Sequence, residues 1–346
     1  MIAPPFIALP PAAYGGTELF LAHLAEGLHA RGHAVTVYAN GESRVSCTLK
    51  WRYPQSDWPV ACEPAALLKN TDHTAWAVRD ASDWADLIHM NDIVGLPFLH
   101  FVEIPAVHTL HHPADPVLSA QYDRYPQVHY VAISAAQARR ERMPKLSVVH
   151  HGLNLADYIV GSRKGDYLAF LGRMAPCKGA HLAIEVARRA GLPLKLAGEI
   201  QPTFRDYWER EVSPRIDGDQ IQYIGEADLL KKNELLAHAR ALLFPIQWDE
   251  PFGLVMIEAM ACGTPVLAFP GGAVAEVVED GVSGWICAGV DEMAERAAGV
   301  PIAADSCRAW VADRFSCDRM VEGYLEIYDR ALSGMVPFGA AEAATG

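Results

Sequence analysis

Asp249-Glu250-Pro251-Phe252-Gly253-Leu254-Val255-Met256-Ile257-Glu258-Ala259-Met260-Ala261-Cys262-Gly263 is the stretch from which the fold is best read. The short apolar run Ala241–Phe244 just ahead of it predicts a strand. Pro251, tolerated in a first helical turn, and Gly263, a natural stop, frame a helix between them. A helix that begins just past the end of a parallel strand lies where such sheets bind ligands. Its free N–H groups at Phe252, Gly253 and Leu254 then face an anion, and Gly253 lets a phosphate or sugar approach the backbone. Glu250 stands at the mouth and Glu258 about two turns further along, so the two carboxylates can serve the two ends of one extended ligand. Taken alone, the helix also has a purely structural reading, because Glu is a common helix residue.

Outward from this stretch, short apolar runs alternate with helical-period segments along the chain, the pattern of parallel sheets covered on both faces. Strands are predicted at Ala34–Ala39, Leu87–Met90, Ala106–Leu110, His129–Ile133 and Ser147–His150, and again at Tyr167–Leu171, Leu194–Ala197, Ile221–Ile224, Ala241–Phe244, Pro265–Ala268 and Gly284–Cys287. Gly15-Gly16-Thr17-Glu18 leads into a helix whose apolar face is Leu19, Leu21, Leu24 and Leu28, with Gly32 as its stop, so a glycine loop opens that helix. The fold class expected is α/β, with two doubly wound Rossmann-like parallel-sheet domains facing each other across a cleft. Residues 1–158 form the first domain and 159–316 the second, with the boundary in the polar stretch Asn154–Lys164. A last helix spans 317–332, and the small, polar tail 334–346 is expected to be disordered. Only eight residues precede Leu9-Pro10-Pro11, so the first strand is short or its start is missing.

At 346 residues, about half of them apolar, the chain exceeds what one core usually organises. A formal net charge of -13 argues against a nucleic-acid partner. The acidity is uneven, since residues 1–155 hold 11 Lys+Arg against 14 Asp+Glu, leaving -3 there and -10 beyond. The basic cluster Arg139, Arg140, Arg142 and Lys145 reads first as a solvated helix face and second as a peripheral membrane or phosphate contact. Seven cysteines without a Cys-x-x-Cys pair suit a reducing compartment. No transmembrane segment or leader is evident, and a cytoplasmic location is expected.

Gly172-Arg173-Met174-Ala175-Pro176-Cys177-Lys178-Gly179 also follows a strand and precedes a helix, which brings Arg173 and Lys178 toward the same crevice. Two cations beside helix N-termini suit a diphosphate leaving group. The segment is not a P-loop, because Gly-x-x-x-x-Gly-Lys-Ser/Thr is absent. His108 and His112 have the spacing of a zinc helix but lie on a predicted strand, and Asp217-Gly218-Asp219 reads as a turn, so no metal and no cofactor is expected.

Together these residues resemble the family-four glycosyltransferases of the GT-B fold (glycosyl transferases group 1). The resemblance rests on Leu171-Gly172-Arg173 with Lys178-Gly179, on the Glu-x7-Glu pair Glu250 and Glu258, and on Gly263-Thr264-Pro265-Val266. Tyr14-Gly15-Gly16-Thr17-Glu18, Thr109-Leu110-His111, Ala132-Ile133-Ser134 and His151-Gly152-Leu153-Asn154 look like the same family's N-terminal landmarks, although the family often has Asp where Asn154 stands. The resemblance implies a retaining, metal-independent hexosyltransferase acting on a nucleotide diphosphate sugar of the UDP-sugar or GDP-mannose type, with a saccharide, lipid-linked or small-molecule acceptor. It implies that Arg173 and Lys178 neutralise the diphosphate, beside Gly172. Glu258 would bind the ribose, the base would lie by Ile224, and Glu250 with the Phe252, Gly253 and Leu254 amides would hold the sugar. It also implies that Gly15 and Gly16 approach the phosphates from the opposite domain and that His111 touches the sugar. The last helix would cross back to the first domain. A sugar-nucleotide 2-epimerase or phosphorylase on the same fold, a donor-binding protein without catalysis and a nicotinamide oxidoreductase are the competing readings, the last opposed by the missing Gly-x-Gly-x-x-Gly.

Overall fold

The computed structural model describes residues 1–13, 15–60, 63–161, 165–299 and 302–333. The expectation for the tail 334–346, together with Tyr14, Cys62 and part of the anticipated 154–164 boundary, lies outside the described residues. The chain forms two units, one taking residues 1–11, 15–150 and the chain from 318 onward, the other taking 12–14 and 151–317.

The first unit carries β1 (Thr36–Ala39), β2 (Thr48–Trp51), β3 (Ile88–Met90), β4 (Ala106–Leu110), β5 (His129–Ala132) and β6 (Leu146–Val148). β1 pairs with β2, and β3-β4-β5-β6 run side by side, all parallel. Ile2 bridges the two groups, pairing with Tyr38 of β1 and with Met90 of β3. The anticipated short first strand is therefore a single residue with backbone bonds to both sides, Ile2 N–H to His89 O and Ala3 N–H to Tyr38 O, each 2.9 Å. β2 was not anticipated: Thr-Leu-Lys-Trp is a half-exposed edge strand and lacks a continuous apolar run. The helix Glu63–Ala81 buries Ala77, Val78 and Ala81 in a core with Ile88, Met90 and Tyr130.

The last helix, Cys317–Ser333, contributes Asp318 onward to this unit. A buried polar chain attaches it: His89 Nδ1 meets the Tyr328 hydroxyl at 2.8 Å, His89 Nε2 meets Thr109 Oγ1 at 2.8 Å, and Thr109 Oγ1 meets the Tyr324 hydroxyl at 2.9 Å. Burial drives the His89 imidazole well below its ordinary pKa and raises that of the Tyr324 phenol, so the chain is neutral.

The second unit carries β7 (Leu168–Leu171), β8 (Leu194–Ala197), β9 (Ile221–Tyr223), β10 (Ala241–Phe244), β11 (Val266–Ala268) and β12 (Gly284–Ile286). The order across the sheet is β12-β11-β10-β7-β8-β9, all parallel. Every side chain of β7 and β10 is buried, as expected of central strands covered on both faces. Each large one contributes on the order of 1.5–3 kcal/mol. Ala183, Ile184 and Ala187 of the helix Ala180–Ala190 share this core with Met293, Ala294 and Ala297 of the helix Val290–Ala298.

The division after His150 falls a few residues ahead of the expected 158/159, because residues 151–158 pack within the second unit. Cys317 N–H donates to Leu153 O at 2.9 Å and Leu153 N–H to Phe315 O at 2.8 Å, while the His151 ring meets that of Phe252 at 5.1 Å.

Candidate active site

Counted within the second unit, the sheet order places the first strand, β7, beside the fourth, β10, so the connections leave these two neighbours in opposite directions. That switch point opens a crevice at the carboxyl ends of the strands. Both motif loops arise there, Gly172–Gly179 after β7 and Pro245–Gly253 after β10.

The ends of β7, β8 and β9 are nearly bare backbone. Gly172 N–H donates to Ala197 O and Gly198 N–H to Gly225 O, both at 3.0 Å, and the Tyr223 hydroxyl donates to Gly198 O at 2.7 Å. A Cβ on Gly198, whose φ is 147°, would stand 1.8 Å from Gly172 O. Only glycine fits this strand end, where the two backbones approach closely. Ile224, half exposed, follows β9 and donates its N–H to Leu196 O at 2.9 Å.

Lys178 ends a single turn, Pro176–Lys178, and Gly179 reverses the chain at φ 74° into the helix Ala180–Ala190. A Cβ on Gly179 would stand 2.1 Å from Pro245 O, so the loop after β7 lies directly on the residue that leaves β10. This approach brings Lys178 Nζ to 2.5 Å from Glu250 Oε2. Trp248 Nε1 donates to the same oxygen at 2.8 Å, and the Lys178 ammonium lies 4.6 Å from the centre of the Trp248 ring. The side chains of Lys178 and Glu250 are only 16% and 8% exposed, which makes their mutual attraction much stronger than that of a surface pair. The Glu250 backbone is clamped by a glycine turn: Ala273 N–H donates to Glu250 O at 2.9 Å, and a Cβ on Gly272 would stand 2.1 Å from that oxygen.

Gly253, at φ 84°, caps the helix Leu254–Ala261, and Met256 N–H donates to its carbonyl at 2.9 Å. Buried Phe252 anchors the turn against His151 and Phe315, with ring centres 5.1 and 5.7 Å away. The first N–H groups of the helix have no partner within it by construction. Glu258 is more enclosed than the sequence suggested. Its Oε1 accepts from the Tyr158 hydroxyl and from Lys232 Nζ, both at 3.1 Å. Burial, then the adjacent Glu258 carboxylate, pushes the Tyr158 phenol far up, so it stays a donor. Arg173 Nη1 lies 3.4 Å from Gln201 Oε1, and Gln201 Nε2 donates to Glu199 Oε2 at 2.8 Å. The Arg173 guanidinium also faces the Phe204 ring at 6.0 Å.

Lys178 and Glu250 thus meet directly, while Arg173 and Glu258 have partners that sequence reasoning missed: Gln201, itself bonded to Glu199, for Arg173, and Lys232 and Tyr158 for Glu258. Trp248, two residues from Glu250, was missed as well. A glycine after each of three successive strands (Gly172, Gly198, Gly225) was a readable signal for the bare strand ends, whereas no pattern marked Lys232 among its neighbours.

Gly15, Gly16 and His111 belong to the first unit. Gly15 has φ 145°, and a Cβ on it would stand 2.7 Å from Pro11 Cβ. Gly16 begins the helix Gly16–Ala30, whose Glu18 is buried and pushed up to about 7 by that burial. His111 follows β4; its Nε2 lies 2.9 Å from Asn91 Oδ1 and its ring centre 5.1 Å from that of Phe20.

His108 lies on β4 with its ring against Tyr122 and Tyr130, and burial lowers its pKa to about 3. Asp217 Oδ1 accepts from Asp219 N–H and Ile221 N–H at 2.9 Å each, which closes the turn. Among the described residues no three His, Cys, Asp or Glu side chains converge as metal ligands, and no helix is long and apolar enough to cross a membrane.

Known proteins share this architecture. The family profile of glycosyl transferases group 1 matches residues 160–300, and that of glycosyltransferase family 4 matches residues 14–160. D-inositol 3-phosphate glycosyltransferase of Mycobacterium avium is 31% identical over 219 residues, covering 54% of this chain and 50% of the relative. The chain thus spans about half the length of the inositol-phosphate relatives it matches. Glycogen synthase of Mycobacterium tuberculosis is 26% identical over 339 residues, covering 81% of this chain and 80% of the relative. Among solved structures, AviGT4, a glycosyltransferase involved in avilamycin A biosynthesis, superposes with a TM-score of 0.72 at 26% identity, covering 96% of this chain and 97% of its own. Anabaena HepE, solved in complex with UDP-glucose, shares the fold with a TM-score of 0.73 at 20% identity, covering 95% of this chain and 99% of its own. With the two profiles spanning residues 14–300 in unbroken order and a Rossmann-like parallel sheet in each unit, the chain belongs to the group 1 glycosyltransferases of the GT-B fold.

Proposed function

We propose that this protein is a retaining glycosyltransferase that moves a hexose from a nucleotide diphosphate sugar to a hydroxyl acceptor without a metal ion. The observation that carries the reading is the switch point of the second unit, where Lys178 and Glu250 meet within one crevice beside the N-terminus of the helix Leu254–Ala261. Cleavage of the bond between sugar and diphosphate leaves positive charge on the ring and negative charge on the departing oxygens. Arg173, Lys178 and the helix N–H groups are suited to the departing diphosphate, and the glycine-lined strand ends by Ile224 to the nucleoside. Glu258, tied to Lys232 and Tyr158 through one oxygen, is the carboxylate assigned to the ribose hydroxyls. Glu250 has one oxygen engaged by both Lys178 and Trp248, which suits a carboxylate that holds sugar hydroxyls better than one that attacks carbon. The leaving phosphate can take the acceptor's proton, so no dedicated nucleophile is required.

The test is thermal unfolding against a panel of nucleoside diphosphates and their sugars, since a ligand that binds only the folded chain raises its melting temperature. At a hundredfold excess over Kd the expected stabilisation is ~2.7 kcal/mol. A panel in which no nucleoside diphosphate shifts the transition would overturn the reading. Turnover with the donor so identified is expected to survive a chelator, and loss that Mg²⁺ or Mn²⁺ restores would remove the metal-independent part.

A further inference from the structure

Two donors converge on one oxygen of Glu250. Lys178 Nζ lies 2.5 Å from Oε2, and Trp248 Nε1 donates to the same atom at 2.8 Å. The donors differ in kind. An ammonium rides on a flexible four-carbon stem with three rotatable N–H groups, whereas an indole has a single N–H fixed in the plane of its ring. Lys178 is therefore able to turn to another acceptor nearby, and Trp248 is not unless its loop moves.

That loop is pinned. Gln247 N–H donates to Cys177 O at 2.8 Å, which ties the residue before Trp248 to the residue before Lys178, and Glu250 N–H donates to Trp248 O at 3.1 Å. Two consecutive glycines receive both carbonyls: a Cβ on Gly271 would stand 2.7 Å from Trp248 O, and one on Gly272 would stand 2.1 Å from Glu250 O. The indole ring is engaged as well, with Lys178 Nζ 4.6 Å from its centre. All of these residues belong to the second unit.

A cation committed to Glu250 is not available to a diphosphate. If Lys178 moves to phosphate oxygens, Glu250, whose side chain is 8% exposed, is left as an enclosed carboxylate without its cation, and stranding such a charge is strongly unfavourable. A second, charge-assisted hydrogen bond to the same oxygen offsets part of that cost. We propose that Trp248 is a positioning residue, whose indole N–H keeps Glu250 in place by Oε2 while Lys178 exchanges that oxygen for the diphosphate of the donor. The ligand that draws Lys178 away rests on the proposed function; the hold of Trp248 on Glu250 is a property of the resting protein.

The experiment is ¹H–¹⁵N correlation NMR on the full chain with ¹⁵N-labelled tryptophans, with Trp248→Phe identifying the indole signal, together with the kinetics of that variant. A carboxylate acceptor moves an indole proton downfield, so the Trp248 signal should lie downfield in the wild type and move upfield in Glu250→Ala. It is expected to stay downfield in Lys178→Met, and in the wild type saturated with UDP or GDP, whichever stabilises the fold. Trp248→Phe keeps a ring beside Lys178 and removes the donor. Its kcat should fall about tenfold, the scale of one hydrogen bond to a charged group, with the KM of the nucleotide sugar and the melting shift from the nucleoside diphosphate unchanged. A Lys178→Met or ligand-saturated spectrum in which the signal takes its Glu250→Ala position overturns the inference. So does a Trp248→Phe variant of unchanged kcat, or one whose nucleoside diphosphate binding falls as far as its kcat. Should no nucleoside diphosphate bind, the proposed function fails, while the Lys178→Met spectrum still decides whether Trp248 holds Glu250 on its own. If Lys178→Met does not fold, the ligand-saturated wild-type spectrum and the Trp248→Phe kinetics decide.

Discussion

The two units have kindred parallel sheets, yet they furnish the carboxyl ends of their strands with different chemistry. In the second unit the enclosed polar groups are charged and paired: Lys178 with Glu250, and Lys232 with Glu258. In the first unit the enclosed polar groups are mostly neutral: His89 with Thr109, Tyr324 and Tyr328, and Gln137 with three backbone groups. The same topology thus presents fixed charge on one side and neutral donors and acceptors on the other. Fixed charges are useful where the ligand is always anionic, and neutral groups where it is a polyol.

The largest effect should come from separating Lys178 and Glu250. Glu250→Ala is expected to lower turnover on the order of 10²–10³-fold, the scale of one lost transition-state contact. Lys178→Ala should weaken nucleoside diphosphate binding and also strand the Glu250 carboxylate, at a cost of roughly 2–4 kcal/mol in unfolding free energy. The double variant Lys178→Met with Glu250→Gln tests the comparison itself. Chemical denaturation should show most of the stability restored, while turnover stays lost. If stability is not restored, the pair is a folding element and the contrast between the units loses its functional meaning.

Next in size is Gly198→Ala. The added Cβ would meet Gly172 O at 1.8 Å, so the ends of β7 and β8 must part or the variant must lose about 3 kcal/mol or more. Its melting shift with nucleoside diphosphate should vanish even where the variant folds. A variant of wild-type stability and unchanged binding would show that the bare strand ends are not a ligand surface. The first unit's counterpart is Tyr328→Phe, which removes the partner of a buried imidazole nitrogen and should cost about 1–3 kcal/mol. Nucleoside diphosphate binding should be unaffected, because the loss falls in the neutral unit.

The legibility of the two units followed the same contrast. In the second unit, glycines, a proline and charged residues punctuate the strand ends, so Gly172, Arg173, Lys178, Glu250, Gly253 and Glu258 could all be placed from local pattern alone. Their partners could not. Tyr158 lies 100 residues from Glu258 in sequence and Lys232 lies 26, and periodicity reports which face of a helix is covered without naming what covers it. Glu258 accordingly reads from sequence as an open acceptor, although it is largely enclosed. In the first unit His111 stands out by its motif, but Asn91, Gln137, His89 and Tyr324 are ordinary residues until the sheet brings them together. β2 escaped notice because an exposed edge strand does not require an unbroken apolar run.

Glu18 sharpens the comparison most finely, since it is a carboxyl enclosed in the neutral unit, at the first turn of the helix that the Gly15-Gly16 loop opens. Burial raises its pKa from 4.5 to about 7, against the weaker opposing pull of its own backbone N–H. A carboxyl whose folded pKa lies above its unfolded value binds more protons when folded, so its contribution to stability is complete below pH ~4.5 and is lost as pH rises through ~7. Glu18→Gln stays neutral at every pH. The variant should therefore match the wild type near pH 4.5 and exceed it by roughly 1–2 kcal/mol at pH 8, below the limit set by the full shift because some water can reach an ionised carboxyl. Unfolding by denaturant at the two pH values measures this directly. A constant difference between wild type and variant would mean that Glu18 is ionised throughout, and that the first unit holds an enclosed charge of the kind otherwise concentrated at the carboxyl ends of the second.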